Sequence, residues 1–217
     1  MSNEIHILAF YKYAFIAEPE KFKKEHLKLC NSLGVRGRIL VAHEGINGSV
    51  SGNKEQIEAY QRALKSDSRF SDIIFNENTA IMHPFNKMKV KVKKEIVSFG
   101  KKVDFEKTGK KISPEKFLEL YKEDKEVIIF DVRNDYESRV GRFKNAITAN
   151  IKTFREFPKV IEMLKDKKDK KIVTYCTGGI RCEKASAYLA QEGFKEVYQL
   201  DGGILNFGKQ FPDSVWE

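Results

Sequence analysis

The 217-residue sequence holds only three cysteines, Cys30, Cys176 and Cys182. A low, odd count argues against a disulfide-stapled secreted domain and points to reduced thiols in the cytoplasm. Long hydrophobic runs are also missing. The longest are strand-length, so no segment reads as a membrane span and no membrane role is expected. The opening MSNEIHILAFYKYAF has no basic n-region and no small-residue cleavage site, so no signal peptide is expected. Histidine is scarce, with four residues and none after His83. The second half therefore lacks the commonest catalytic base and metal ligand.

Acidic residues are outnumbered by basic ones, 31 to 40, for a net charge of +9. The excess is local. Ten lysines lie between Lys87 and Lys111 against Glu95, Asp104 and Glu106, so this stretch carries +7. Such a patch suits a polyanionic partner, nucleic acid above all, and also fits a plain solvated lysine face. The remaining composition is that of a soluble globular chain, 41% hydrophobic and 33% charged.

The first part reads as strand, helix, strand, strand, helix, strand. IHILAFYKYAF is an apolar, aromatic strand, and EPEKFKKEHLKLCNSLG is an amphipathic helix opened by proline and closed by glycine. VRGRILVAH and GINGSVSG form a strand pair around a turn near Glu44–Gly45. NKEQIEAYQRALKSDSRF is a helix with Asn53 as N-cap and Gln56 at capping-box spacing, and SDIIFNENTAIM is a strand. The order βαββαβ is the ferredoxin-like pattern, which by itself assigns no function. In NKMKVKVKKEIV, Lys87, Lys89, Lys91 and Lys93 alternate with apolar residues. Period two predicts a strand with one lysine face. Those lysines, with Lys94, are candidate RNA contacts or the guard of an edge strand. Phe10 and Tyr11 are candidate base-stacking residues, although burial is the commoner fate of such aromatics.

GKKVDFEKTGKKISPEKF reads as an exposed linker running into a helix. The boundary falls near residue 100, giving a ferredoxin-like α+β domain over 1–100 and a second domain over 101–217. The second alternates helices (SPEKFLELYKED, EFPKVIEMLKD, RCEKASAYLAQEG) with buried strands (EVIIFDVR, KKIVTYC, EVYQLDGG). This predicts a parallel α/β sheet with ligands at the carboxyl ends of its strands. GGI occurs twice, at 178–180 and 202–204, and with no supporting period the repeat reads as coincidence.

Cys176 stands at such a carboxyl end, in the loop Cys176-Thr177-Gly178-Gly179-Ile180-Arg181. Two glycines let successive N–H groups converge on one centre, the following helix offers its positive end, and Arg181 adds a fixed charge. All three favour a thiolate with a pKa below the free value of about 8.5. Spacing to Cys182 does not fit zinc, and no metal site is expected. The compartment disfavours a disulfide. A packed core thiol has no need of the glycines or the arginine, and a Cys–His hydrolase lacks its histidine. Four residues separate Cys176 from Arg181. Cysteine-dependent phosphatases use five, so this tighter loop suits a sulfur atom better than a phosphate. Cys182 shares a helical stripe with Ala185 and Leu189 and reads as packing, with a resolving role toward Cys176 as the alternative. Cys30 reads as core. Asp131 and Arg133, with Asp135 and Glu137, either face the same crevice or form an ion-pair network. Asp131 reads as structural, and Arg133 fits both.

The segments DVRNDYE, CTGGIRCEKA and DGGI resemble the rhodanese (sulfurtransferase-like) domain, with Cys176 at its catalytic position. Together with GRILVAHEGINGSVSG, HPFNKMKVKVKKEIV, RNDYESRVGRFKNAI, FREFP and GGIL, nearly the whole chain resembles the two-domain tRNA uridine hydroxylase family. The resemblance implies a ferredoxin-like (acylphosphatase-like) domain followed by a rhodanese domain. It implies oxygen-dependent hydroxylation of uridine 34 of tRNA to 5-hydroxyuridine, with Cys176 essential as thiolate or persulfide. O2 and an external electron donor are implied, and no metal or flavin motif is evident. Val132 replaces the threonine that family members carry before this arginine. The family continues beyond SVWE into a cysteine-containing segment, so a C-terminal extension is expected to be missing here. The alternatives are a thiosulfate-type sulfurtransferase forming a persulfide on Cys176 and a non-catalytic RNA-binding module. Oligomeric state is not encoded in any motif.

Overall fold

The computed structural model describes residues 4–124 and 126–217. The chain divides into two compact units, Met1–Val97 and Ser98–Glu217.

The first unit runs β1 (Ile5–Tyr13), α1 (Pro19–Ser32), β2 (Arg36–Ala42), β3 (Gly45–Gly52), α2 (Lys54–Lys65), β4 (Phe75–Ala80) and β5 (Met88–Val92). Proline opens α1, where its missing N–H costs nothing. The capping box of α2 forms as the sequence predicts. The Gln56 amide donates to Asn53 Oδ1 at 2.9 Å, and the Asn53 amide to Gln56 Oε1 at 2.8 Å. That helix stops at Lys65, short of Phe70. Asp67 accepts from the Arg69 amide at 3.0 Å and starts a separate turn of 3₁₀ helix, Ser68–Phe70.

The sheet has the order β4-β1-β3-β2-β5. The first four strands pair antiparallel, and β5 joins β2 in parallel at the edge. One face buries Leu8, Phe10, Ile39, Val41, Val50 and Val90 against Cys30, Ile57, Tyr60 and Leu64 of the helices. Phe10 packs on Tyr60 and Phe75, which removes it from any base-stacking role. Burial pushes the Cys30 thiol up to about 12, so it is an inert core group.

The second unit runs β6 (Lys110–Ile112), α3 (Pro114–Glu123), β7 (Ile128–Asp131), α4 (Asp135–Ser138), β8 (Ile147–Thr148), α5 (Phe157–Val160), β9 (Lys171–Tyr175), α6 (Ile180–Gln191), β10 (Glu196–Leu200) and α7 (Gly203–Gln210). Its sheet has the order β6-β10-β9-β7-β8 with every pair parallel. Two expectations change. Part of the basic linker is strand β6, whose three residues gain order only by pairing with β10. The segment around α5 is one α turn between two stretches of 3₁₀ helix rather than a continuous helix. The middle strand of the five is β9, and its carboxyl end delivers Cys176 into the turn before α6. Beneath lie Phe117, Phe143, Val173, Tyr175 and Phe207, with Trp216 stacked on Phe143 at 4.8 Å.

Candidate functional site

The turn from β9 to α6 curls around one sulfur atom. Gly179 adopts φ +99°, a left-handed conformation that a side chain would strain. Its amide thereby points back and donates to Cys176 Sγ at 3.1 Å. The backbone amides of Arg181 and Cys182 also favour the charged sulfur, although the Cys182 amide donates to the Gly179 carbonyl at 3.0 Å. Cys176 itself is fully buried, at 0% exposure.

Burial alone raises a thiol pKa, yet that of Cys176 falls to about 5. The hydrogen bond from the Cys182 thiol, the charge of Arg181 and the backbone amides overcome desolvation. Cys182 moves the opposite way. Its burial, its bond to Cys176 and the negative charge there all raise it. The two thiols are thus driven in opposite directions, Cys176 toward the thiolate and Cys182 toward the protonated form. Packing does not exhaust the role of Cys182, since its S–H is part of the cradle. No disulfide joins the two cysteines.

Glu137 fixes Arg181. Arg181 Nη1 donates to Glu137 Oε2 at 2.5 Å and Nη2 to Oε1 at 2.7 Å. Thr177 Oγ1 donates to the same carboxylate at 2.7 Å and accepts from Arg181 Nη2 at 3.0 Å. Burial would raise the carboxyl, but the bonds from Arg181 and Thr177 hold it at about 2. Glu137 also accepts from the Asn134 amide at the start of its own helix α4, at 3.2 Å. One carboxylate thus locks the β7–α4 turn to the cysteine loop. The sequence marks Glu137 only as one of four charges after a strand. Its N3 position, three residues after Asn134, is the signal that it reaches back.

Asp131 and Arg133 form a different group. Arg133 Nε and Nη2 donate to the Asp131 carboxylate at 2.9 and 2.6 Å, and Nη2 also donates to the Gly141 carbonyl at 2.7 Å. The Tyr175 hydroxyl donates to Asp131 at 2.7 Å. The pair is buried, with Arg133 6% exposed. It braces the end of β9 one residue before Cys176. Arg133 still reaches the wall of a cleft of about 560 Å³ beside the loop, with Glu137, Thr177, Ile204, Leu205 and Trp216.

The second Gly-Gly-Ile is no idle repeat. Gly203 adopts φ +65°, and a Cβ there would lie 2.4 Å from the Cys176 carbonyl oxygen. The close approach lets the Ile204 amide donate to that carbonyl at 2.8 Å and the Leu205 amide to the Thr177 carbonyl at 3.1 Å. Both Gly-Gly-Ile segments are strand-to-helix turns, and they meet back to back. Gly178 and Ile180 complete the loop, both half-buried.

The lysine candidates belong to the first unit. Lys89 and Lys91 stand on β5, Lys87 precedes it, and Lys93 and Lys94 follow, all exposed. Val90 between them enters the core, as period two requires. Among the described residues no helix is long and apolar enough to cross a membrane.

Residues 5–96 match the UPF0176 acylphosphatase like domain, and residues 113–210 match the rhodanese-like domain. The chain is 48% identical to the tRNA uridine(34) hydroxylase of Bacillus licheniformis, over 100% of this chain and 69% of that protein. It is 47% identical to the tRNA uridine(34) hydroxylase of Legionella pneumophila strain Paris, over 99% of this chain and 86% of that one. The protein of the same name from Onion yellows phytoplasma is 47% identical, over 97% of this chain and 70% of its own length.

Proposed function

We propose a function on the premise that this chain belongs to the tRNA uridine(34) hydroxylase family, with which it shares nearly half its residues from end to end. It modifies tRNA by hydroxylating uridine 34, giving 5-hydroxyuridine. The observation that carries the reading is Cys176, held by the Gly179 amide and pushed toward the thiolate by Cys182 and Arg181, in a chain of that kinship. Balance fixes the co-substrates. Replacing a C–H by a C–OH with O2 puts one oxygen atom on the base and one into water. It consumes two electrons and two protons, so the reaction takes an external electron donor.

The residues have separable parts in this scheme. The cradle keeps Cys176 ionised and ready to hold a sulfur adduct or a reacting anion. Glu137 and Thr177 fix the guanidinium of Arg181 so that its charge stays on the sulfur. The adjoining cleft, apolar on one side and edged by Thr177 and Glu137, is of a size to take a flipped-out pyrimidine. Lys87, Lys89, Lys91, Lys93 and Lys94 meet tRNA phosphates without reading bases. A cytoplasmic location follows from the substrate.

The decisive experiment is mass spectrometry of tRNA nucleosides from a deletion strain, complemented with wild type or Cys176→Ala. Wild type should restore 5-hydroxyuridine and Cys176→Ala should not. Persistence of the nucleoside in the deletion strain, with no second pathway, ends the reading. One feature favours a second activity, sulfur transfer. The Gly179 amide and Arg181 favour negative charge at this sulfur, and the same groups would favour the persulfide left when Cys176 takes the outer sulfur of thiosulfate and releases sulfite. Turnover of thiosulfate by the purified chain, without tRNA, would select that alternative.

A further inference from the structure

The first unit has a sheet face that the helices do not cover. Across β4-β1-β3-β2-β5 one rung of that face reads Asn76, Ala9, Ser49, Arg38, Lys89. Arg38 and Lys89 are direct Cα partners in the parallel pair, so their side chains project side by side. The next rung toward the start of β2 places Arg36 beside Ser51, and the rung on the other side places Lys91 beside Leu40. Lys87 extends the row just before β5. None of these rungs holds a carboxylate. Arg36, Arg38, Lys87, Lys89 and Lys91 are all exposed, and among the described residues none forms an ion pair.

This arrangement opposes stability, because like charges directly across a sheet repel. Edge protection accounts for lysines on β5, which is an edge strand. It does not account for Arg36 and Arg38, which stand on β2 inside the sheet, between β3 and β5. The field extends inward as well. His83 meets the Ser51 hydroxyl at 3.0 Å, and its pKa is lowered by burial and then by the charge of Arg36.

We propose that Arg36 and Arg38 of β2 join Lys89 and Lys91 of β5, with Lys87 just before it, as a two-strand cation ladder that binds the sugar–phosphate backbone of tRNA. The proposal rests on tRNA being the substrate. Same-face residues recur about every 6.6 Å along each strand. The ladder therefore offers a two-dimensional array of cations to a polyanion. Arginine supplies bidentate forks for phosphate where lysine supplies point charges. Ser49 and Asn76 on the same rung add neutral hydrogen-bonding groups suited to phosphate and 2′-hydroxyl oxygens. The surface contributes affinity and register, and leaves choice of base to the rhodanese unit.

The test is equilibrium binding of tRNA to the full chain across a salt series. Each lost phosphate contact should reduce the slope of log affinity against log salt by about 0.7–0.9. Arg38→Gln with Lys89→Gln should flatten the slope by about 1.5 and weaken binding at least tenfold at moderate salt. The charge-preserving pair Arg38→Lys with Lys89→Arg should keep the wild-type slope, which separates charge from folding damage. Lys116→Gln with Lys122→Gln on α3 removes equal charge elsewhere and should leave the slope within error. An unchanged slope in the first pair, or an equal change in the α3 pair, overturns the ladder. The tRNA reading fails separately, through 5-hydroxyuridine that survives deletion of the gene.

Discussion

Glu137 grips Arg181 with both carboxylate oxygens, at 2.5 and 2.7 Å, across 44 residues of sequence. The two side chains are 20% and 12% exposed, so little water stands in for either partner. Glu137→Ala leaves the guanidinium without its carboxylate. At a buried pair that costs about 3 kcal/mol or more. The thermal midpoint should fall by several degrees, at about 2–4 °C per kcal/mol for this size. An unchanged midpoint would show the clamp to be energetically idle.

The same carboxylate predicts an acid response. Its pKa falls from an ordinary 4.5 to about 2 on folding. A depressed acid adds stability that is complete above the unfolded value and is lost as pH falls through the folded one. Stability should therefore drop between about pH 4.5 and pH 2 in wild type. That part of the drop should be missing in Glu137→Gln. Urea midpoints measured across this range decide the matter.

Cys176 should titrate far below a free thiol. Ultraviolet thiolate absorbance, taken as wild type minus Cys176→Ser, should rise with a midpoint at about 5. The sign is again that of a depressed acid. The thiolate stabilises the fold above the unfolded value of about 8.5, and this contribution disappears as pH falls through about 5. The Cys182 hydrogen bond is the largest favourable influence on the thiolate. Cys182→Ala should move the midpoint up toward neutrality. A midpoint that stays put would return Cys182 to simple packing.

Two glycines near the loop should respond in opposite ways. Gly203→Ala must bring a Cβ within 2.4 Å of the Cys176 carbonyl oxygen at a left-handed φ. It should disrupt the loop and abolish tRNA hydroxylation. Gly178 has nothing within 4 Å of its missing Cβ. Gly178→Ala should fold normally and keep the Cys176 titration. Comparable loss in both variants would mean that the close approach at Gly203 does not govern the loop.

Asp131 and Arg133 should act on stability rather than on chemistry. Asp131→Asn removes the charge that neutralises the 6% exposed Arg133 and should cost about 3–5 kcal/mol. Tyr175→Phe removes one 2.7 Å bond to Asp131 and should cost about 1–3 kcal/mol. In both variants that remain folded, the Cys176 midpoint should hold. A shifted thiolate titration in Tyr175→Phe would place this network inside the active site.

Much of this molecule is written in local pattern. Alternation of lysine with Met88, Val90 and Val92 specifies a half-buried strand, because side chains alternate across a strand whatever the partner. Asn53 and Gln56 specify a helix start through bonds that span three residues. Residues 176–181 specify an anion cradle, since glycine conformation, helix polarity and arginine charge all act within one turn. These features need no knowledge of the rest of the chain.

What the tertiary structure decided depends on distances between residues far apart in sequence. Glu137 is ordinary as a local feature and meets Arg181 only because β7 and β9 are neighbours in the parallel sheet. Gly203 counts because α7 begins against the Cys176 carbonyl. The three residues of β6 carry no strand signal of their own and become one beside β10. Arg36 and Arg38 join the lysines because β5 pairs with β2 in one register out of several. Local sequence sets what each segment prefers. Burial and hydrogen bonding over long range decide which groups share a site, and so determine the charge on Cys176.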